Sequence, residues 1–202
     1  SVSELRAFDA PYAIGVVDRE ALRAGGLQVN LSEALGAVPG LSVLNRGNYA
    51  QDLQMSSRGY GARAGFGVRG LRLYTDGIPA TMPDGSGQVT HFDLAGAERI
   101  EVLRGPFSAL YGNSSGGVIA LVSAPVTERR ASLGVDVGSH GTRQLRGSYE
   151  APLNEHWDLR AGVSAFETDG LRAHASAQRL LGTLRLGWRD GVDSVVVHAN
   201  AL

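Results

Sequence analysis

The sequence predicts an α+β domain of short strands and helices, followed by a series of antiparallel amphipathic β-strands. Up to about Pro125, strand-like and helix-like segments alternate with turns rich in Gly and Pro. Beyond Pro125, apolar and polar residues alternate with the period of a β-strand. No apolar stretch approaches the roughly 18 residues of a transmembrane helix. If the chain enters a membrane, it must therefore do so as a β-barrel, which satisfies its own backbone hydrogen bonds there.

The first elements follow from turn and capping residues. The segment "YAIGVVDREAL" predicts a strand and then a short helix with Asp18 as its N-cap. The segment "NLSEALGAVPG" predicts a second brief helix with Ser32 as N-cap, ending near Val38 and stopped by Pro39 and Gly40. The next segment, "LSVLN", predicts a strand.

The middle of the chain predicts a hairpin, a loop and two further strands. In "FGVRGLRLYTDGIPA", Asp76 and Gly77 are typical of a tight hairpin turn. The turn formers of "MPDGSGQVTHFDL" predict an exposed loop. The segment "AERIEVLRG" predicts a strand, "PFSALYG" a single helical turn beginning at Pro106, and "GVIALVS" another strand.

The alternating strands after Pro125 fit two architectures, and alternation alone does not distinguish them. A soluble sandwich buries the apolar face, whereas a membrane barrel turns that face to lipid. Trp157 and Trp188 near strand ends favour a membrane barrel, because aromatic residues collect at the membrane interface. The five predicted strands fall short of the about eight that close a barrel. The strands are therefore expected to form part of a larger sheet, or the chain is a fragment.

Composition narrows the function classes. A net charge of −1 gives no indication of a nucleic-acid partner. The absence of cysteine excludes disulfides and thiolate metal sites and suits a bacterial envelope protein. The five histidines are scattered without metal-ligand spacing, so no metal site and no cofactor are predicted. The first residues lack the pattern of a signal peptide, which is typical of a mature or trimmed chain.

Two motifs resemble enzyme signatures but lie in the wrong context. Gly112–Gly116 matches the G-x-S-x-G pattern with Ser114 at its centre, yet a strand is predicted after it where a nucleophile elbow needs a helix. Gly65, Gly67 and Gly70 match a dinucleotide fingerprint, yet the segment continues as a strand and hairpin. Neither motif predicts an enzyme.

Four segments together resemble the plug domain of TonB-dependent outer-membrane receptors. They are "SEALGAVPGLSV", "RGYG", "VRGLRLYTDGIPA" and "AERIEVLRGPFSALYGNSSGGVIALVS", in the order and spacing of that family. The resemblance covers about Leu31 to Ser123, and its last block is the most specific. The chain departs from the family at Ala97 and Glu98, where an apolar residue more often precedes the Glu, and "SVSELRAFDA" shows no convincing coupling box.

The resemblance implies a fold, a location and partners. Residues 1–125 would form a plug with a mixed four-stranded sheet and short helices, and residues 126–202 the first about five strands of an incomplete barrel of about 22. The protein would be a transporter of the bacterial outer membrane, not an enzyme. It would take up a scarce nutrient such as a ferric siderophore or another metal chelate. Its partners would be the TonB energy-coupling protein, outer-membrane lipid, the chelate and the remaining barrel strands.

The resemblance also implies site residues. Arg58 and Arg104 would lock the plug to the barrel by pairing with barrel carboxylates, because an unpaired buried charge is costly. The turns and close contacts of the plug motif would depend on Asp76, Gly77, Gly105, Tyr111, Gly112, Gly116 and Gly117. The outer loops, residues 60–66 and 80–91, would offer ligand contacts through Tyr60, Arg63, Phe66, Met82, Asp84, Gln88 and His91.

Two other functions remain open at this point. A soluble plug-like module of the periplasm could capture a ligand without transporting it, and it would differ from a receptor in its cellular fraction. A hydrolase using Ser114 would lose its activity on substitution of that residue.

Overall fold

A computed structural model of the chain describes residues 13–24, 26–45, 49, 53–65, 67–104, 116–172 and 174–202. Contacts between residues divide it into two compact units. The first unit lies within Ser1–Arg46 and Gln51–Ser123, and the second within Gly47–Ala50 and Ala124–Leu202. Each unit has its own sheets.

The first unit contains two short helices and nine strands among the residues described. In chain order they are β1 (Ala13–Asp18), α1 (Arg19–Ala24), α2 (Leu31–Leu35), β2 (Leu41–Leu44), β3 (Gln54–Ser57), β4 (Val68–Arg69), β5 (Arg72–Thr75), β6 (Ile78–Pro79), β7 (Ser86–Gly87), β8 (Ala97–Arg104) and β9 (Val118–Ser123).

The helices begin at polar residues that satisfy exposed backbone N–H groups. Asp18 caps α1 as predicted, since its Oδ1 accepts a hydrogen bond from the N–H of Ala21 at 2.9 Å. The expectation that Ser32 caps the second helix is wrong, because Ser32 lies inside α2 and the cap is Asn30. Glu33 explains the shift. Its carboxylate accepts the N–H of Asn30 at 2.9 Å and that of Gln28 at 2.7 Å, so the helix starts two residues earlier.

The main sheet of the first unit is mixed, with the strand order β1-β8-β9-β5-β6. Its central pair, β5 and β9, is parallel, and the other pairs are antiparallel. The two-residue strand β6 is the fifth member, added by the hairpin that the sequence predicts. Two further antiparallel pairs, β2 with β3 and β4 with β7, complete the unit.

Buried apolar side chains of the first unit pack into one hydrophobic cluster. Leu35, Met55, Leu73, Ile100 and Ile119 have no measurable exposure, and they come from a helix and four strands. Removal of such large side chains from water is the dominant favourable contribution to folding. The core therefore holds the sheet and the short helices together.

The second unit is one antiparallel sheet with the strands in sequence order. They are β10 (Arg130–Val137), β11 (Arg143–Pro152), β12 (Trp157–Thr168), β13 (Ala177–Asp190) and β14 (Asp193–Ala201). All five strands predicted from the alternation are present. No helix among the described residues is long and apolar enough to cross a membrane.

The two faces of this second sheet differ in chemistry. The cross-strand register places Val135, Leu145, Ala165 and Leu180 in one row on the face that we call the apolar face. The adjacent row, on the opposite polar face, is Asp136, Gln144, Phe166 and Arg179. The apolar face is the exposed one, with Leu133 at 78%, Val137 at 79% and Leu180 at 64% exposure.

Candidate functional site

Arg58 and Arg104 both donate hydrogen bonds to the Pro39–Gly40 turn, although 46 residues of sequence separate them. Arg104, at the end of β8, donates from Nη1 to the carbonyl oxygen of Pro39. Arg58 follows β3, and its N–H donates to the carbonyl oxygen of Gly40 at 3.1 Å. A side chain on Gly40 would contact both arginines, with its Cβ 3.4 Å from Nη1 of Arg104 and 4.0 Å from Cγ of Arg58. The Pro39–Gly40 turn therefore brings the two guanidinium-bearing residues together.

The Arg104 guanidinium is incompletely paired within the described chain. Its Nε is buried without a hydrogen-bond partner, and no carboxylate in the described ranges forms an ion pair with Arg104 or Arg58. A buried N–H without an acceptor is unfavourable, so this group is suited to a partner outside these residues.

Asp76 and Gly77 form the turn between β5 and β6, with φ of 49° and 81°. Both angles belong to the left-handed region that the tight hairpin turn requires. Asp76 also reaches the neighbouring strand β9, where its Oδ1 accepts the N–H of Ser123 at 2.7 Å. Its own N–H donates to the carbonyl oxygen of Leu121 at 2.9 Å. The contact between Asp76 and Ser123, which lie 47 residues apart in sequence, was not predicted from the sequence.

Gly116 and Gly117 lie where two strands approach closely. Gly117 has a φ of +115°, and a Cβ there would clash with the carbonyl oxygen of Leu103. A Cβ on Gly116 would lie 2.8 Å from the carbonyl oxygen of Gly70. Backbone cannot move aside as a side chain can, so only glycine fits these two positions. The other predicted motif residues, Gly105, Tyr111 and Gly112, lie outside the described residues.

Strands, and not helices, follow the two enzyme-like motifs. β9 begins at Val118, directly after the G-x-S-x-G segment, where a nucleophile elbow would continue as a helix. The glycines at 65, 67 and 70 are followed by β5 and not by a helix, so the dinucleotide motif has no phosphate-binding helix N-terminus. Both motifs stand in strand contexts that these chemistries do not use.

The two predicted ligand loops are joined by a short pair of strands. β4 pairs with β7, which places Val68 opposite Gly87 and Arg69 opposite Ser86. The loop before β4 and the loop around β7 are therefore neighbours. We call their exposed side chains the outer-loop patch, which consists of Tyr60, Arg63, Arg69, Met82, Asp84 and Gln88.

The outer-loop patch combines polar, charged and apolar groups that face solvent. Tyr60 is 52% and Met82 58% exposed. Arg69 Nη2 lies 3.9 Å from Asp84 Oδ2, with both side chains 60% exposed, so this pair contributes little to stability. Arg69 was not predicted as a site residue. Its position after the loop that precedes β4, opposite Ser86 in β7, is apparent only from the strand pairing.

Asp84 is held in its ionised form by its own loop. The Ser86 hydroxyl donates to Asp84 Oδ1 at 2.6 Å and the Ser86 N–H donates to the same oxygen at 3.0 Å. These hydrogen bonds, the hydroxyl first, lower the pKa of Asp84 below its ordinary value. The carboxylate is thus negatively charged even in mildly acidic solution.

The remaining predicted loop residues differ in position. His91 is half-buried, with its ring edge-on to that of Phe92 at a centroid distance of 5.1 Å. Phe66 lies outside the described residues. Within the parts of the chain that the structure describes, no three His, Cys, Asp or Glu side chains are grouped to hold a metal ion. The patch is therefore suited to contact a ligand by hydrogen bonds, charge and stacking.

Ion pairs lie on the polar face of the second unit, which alternation alone did not predict. Arg146 Nη2 lies 2.7 Å from Asp136 Oδ2, and Arg160 Nη2 lies 3.0 Å from Glu150 Oε2. Arg185 pairs in the same manner with Asp158. In each pair the arginine reaches the acid of the preceding strand. We refer to these pairs as the ion-pair series.

The comparisons with known proteins agree with this geometry. The family model described as the TonB-dependent receptor plug domain matches residues 6–118. The match covers more than half of the chain and includes the hairpin, the two arginines and the close glycines. The chain therefore belongs to the TonB-dependent receptors, and this family places it in the bacterial outer membrane.

Individual relatives point in the same direction. A metal-pseudopaline receptor of Pseudomonas aeruginosa is 36% identical over 115 residues, which is 54% of this chain and 16% of that protein. A ferrioxamine receptor of Yersinia enterocolitica is 28% identical over 93% of this chain and 26% of its own length. The chain thus spans about a quarter or less of these curated relatives. They are receptors and not enzymes.

Solved structures share the fold. The siderophore receptor PirA of Pseudomonas aeruginosa superimposes with a TM-score of 0.67 at 28% identity, covering 95% of this chain and 35% of that one. A pyoverdine outer-membrane receptor of the same species gives a TM-score of 0.75 at 23% identity, over 97% of this chain and 28% of that one. The first unit is therefore a plug domain, and the strands of the second resemble an incomplete receptor barrel.

Proposed function

We propose that the chain is the plug and the first five strands of an energy-coupled outer-membrane transporter for a small metal chelate. In this proposal residues 1–125 form the plug and residues 126–202 begin the barrel. The observation that carries the proposal is the exposed apolar face of the second unit, directly after a plug fold. Leu133 and Val137 would contact outer-membrane lipid, and the polar face with its ion-pair series would line the lumen.

An exposed face of this kind does not favour a soluble periplasmic module. Monomeric soluble proteins rarely expose contiguous apolar patches larger than a few hundred Å². The large side chains Leu133, Val135, Val137, Leu145 and Leu180 are between 48% and 79% exposed on one side of a single sheet. Lipid is the surrounding that would remove the cost of this exposure.

Arg58 and Arg104 would lock the plug to barrel strands that follow this chain. The support is the shared Pro39–Gly40 turn and the buried Arg104 Nε, which has no hydrogen-bond partner among the described residues. Carboxylates on the remaining strands would complete this site, and a bidentate arginine pair would hold it firmly. The TonB energy-coupling protein would supply the force that releases it.

The ligand would be a chelate bound at the outer-loop patch. Support comes from the joined loops and from exposed Tyr60, Arg63 and Arg69, which can stack on and donate to an oxygen-rich chelate. The metal-pseudopaline and ferrioxamine receptors take chelates according to their names. Their names support a metal chelate as the class of ligand for this chain.

Uptake by whole cells tests the proposal. Cells that express the full-length protein should accumulate radioactive iron from ferrioxamine, or radioactive cobalt from vitamin B12, in an energy-dependent manner. A protonophore should abolish uptake and leave surface binding intact. Arg63→Ala should weaken surface binding at least about fivefold, as expected when a charged hydrogen bond is lost. Arg23→Ala, an exposed arginine on α1 of the same unit, is the matched control.

Two results would overturn the proposal. One is recovery of the protein in the soluble periplasmic fraction instead of the outer membrane. The other is equal uptake of both probes with and without the gene under iron and cobalamin limitation.

A further inference from the structure

The chain passes from the first unit into the strands of the second at the peptide between Ser123 and Ala124. Each residue of this peptide is held by a distant side chain of its own unit. The Ser123 N–H donates to Asp76 Oδ1 at 2.7 Å. The Ala124 carbonyl oxygen accepts from Arg160 Nη2 at 2.6 Å. The junction is thus fastened on one side by an anion and on the other by a cation.

On the first side, Asp76 contacts the last strand of the first unit at two points. Its backbone N–H donates to Leu121 and its carboxylate accepts from Ser123. The positive φ of Asp76 orients the turn so that side chain and backbone face β9 together. The hairpin turn therefore does more than reverse the chain, because it also terminates β9.

On the second side, Arg160 is almost fully buried. It is 4% exposed and lies on the polar face of β12, opposite Glu150 in the register. Its Nε and Nη2 both lie 3.0 Å from Glu150 Oε2, while Nη2 also holds the carbonyl of Ala124. A buried guanidinium requires such partners, because an uncompensated charge in this setting is strongly destabilising. The guanidinium thus serves the acid through Nε and Nη2 and the carbonyl through Nη2, in the planar geometry that arginine provides.

We propose that Asp76 and Arg160 are positioning residues that fasten the two sides of the Ser123–Ala124 peptide. Each side of this peptide is then kept in place within its own unit. For transport, this inference rests on the function proposed above. The anchoring itself does not, because each contact lies within a single unit.

A spin label measures the anchoring directly. The chain contains no cysteine, so a cysteine introduced at Thr127, an exposed position three residues after Ala124, is its single site for a nitroxide. Any cysteine elsewhere in the full-length protein is replaced by serine before labelling. In the full-length protein in outer-membrane vesicles, Arg160→Met should shorten the rotational correlation time of this label by about twofold or more. Arg160→Lys, which keeps the charge but lacks the two-nitrogen contact with Glu150, should give an intermediate value.

Arg185→Met is the matched control. It breaks an ion pair of the same series, on the same face, but Arg185 donates to Asp158 and not to the junction. The label at Thr127 should keep its wild-type motion in this variant. A second label at Val192, which is 99% exposed in the turn before β14, should be unchanged in all variants.

Hydrogen exchange tests the other side of the junction. Asp76→Ala should accelerate exchange in the peptide that ends at Ser123 by about tenfold, whereas Asp76→Asn keeps an acceptor oxygen and should restore most of the protection. Unchanged label motion in both Arg160 variants, or equal loosening by Arg185→Met, would overturn the anchor at Arg160. Unchanged exchange in Asp76→Ala would overturn the anchor at Asp76.

Uptake measured on the same cells separates the two proposals. If the wild-type protein fails to transport either probe, the proposed function fails while the label and exchange results still decide the anchoring. If the protein transports, Arg160→Met should lower uptake relative to surface binding, and Arg185→Met should not. An unaltered ratio in a variant whose junction has loosened would contradict a role of the anchor in transport.

Discussion

The two units use the same alternation of apolar and polar residues in opposite ways. In the first unit, Leu73 and Ile100 point into a common core and have no measurable exposure. In the second unit, Leu133 is 78% exposed, whereas Arg160 is only 4% exposed. An alternating strand therefore does not reveal which of its faces meets water. The second unit differs from the first because charged side chains lie on its less exposed face and are paired with one another.

The ion-pair series consists of these paired charges. Arg146, Arg160 and Arg185 each contact a carboxylate on the adjacent strand. The sheet of the second unit exposes its apolar face and pairs the charges on its other face. This is the reverse of the ordinary arrangement, in which apolar side chains are buried and charges are solvated. The comparison suggests that the first unit is stabilised by its own core, and the second by its surroundings.

The largest expected effect tests the core of the first unit. Leu73→Ala should lower the free energy of unfolding of that unit by about 2–5 kcal/mol, because it leaves a cavity in a fully buried site. Leu180→Ala, at a site 64% exposed on the apolar face, leaves no enclosed cavity and should lower the free energy of unfolding of the second unit by much less.

Hydrogen exchange of β8 and β9 peptides in increasing urea would report on the first unit. Fluorescence of Trp157 and Trp188, the two tryptophans of the chain, would report on the second. Equal effects of Leu73→Ala and Leu180→Ala would contradict the difference in burial between the two units.

The next effect tests the exposed face of the second unit. Leu133→Arg should destabilise the full-length protein in lipid vesicles, by about 2–4 kcal/mol if the site lies near the bilayer midplane. Ser132→Arg places the same charge on the polar face of the same strand and should cost much less. Urea titration of vesicle-inserted protein measures both. A smaller loss for Leu133→Arg than for Ser132→Arg would mean that the apolar face does not meet lipid.

The smallest effect concerns the outer-loop patch. The pKa of Asp84 is lowered from 3.8, so the order that its hydrogen bonds give the loop is present above that value and is lost as the pH falls through the lowered pKa. Ser86→Ala should raise the pKa of Asp84 towards 3.8, because the hydroxyl is the largest cause of the shift. Carbon-13 NMR titration of the Asp84 carboxyl group would show it. An unshifted titration would assign the effect to the backbone N–H instead.

Local features were predictable from the sequence, because neighbouring residues determine them. Asp18 caps its helix, the Asp76–Gly77 turn closes its hairpin, and period-2 alternation predicted all five strands of the second unit. The second helix shows the limit of this reasoning. Ser32 is a good cap by type, but the carboxylate of Glu33 stabilises an earlier start.

Long-range contacts were not predictable in the same way. Arg104 reaches the carbonyl of Pro39, 65 residues away, and Asp76 reaches Ser123, 47 residues away. The contact of Asp76 depends on the pairing of β5 with β9. The contact of Arg104 depends on the position of the turn before β2 relative to the end of β8. No local pattern encodes either one. Arg160 appeared only as a polar position in an alternating strand. Its pairing with Glu150 follows from the register of β11 and β12, and its contact with Ala124 is seen only in the structure.

The ion-pair series also has a direction. Each arginine pairs with an acid on the strand before it, so a sheet that grows from β10 towards β13 pairs every new guanidinium as its strand is added. The growing edge then carries the carboxylate of Glu150 or Asp158. Growth from β13 backwards would instead leave the guanidinium of Arg160 or Arg146 at the edge. The ion-pair series thus makes the two directions of growth different in the charge that the open edge presents.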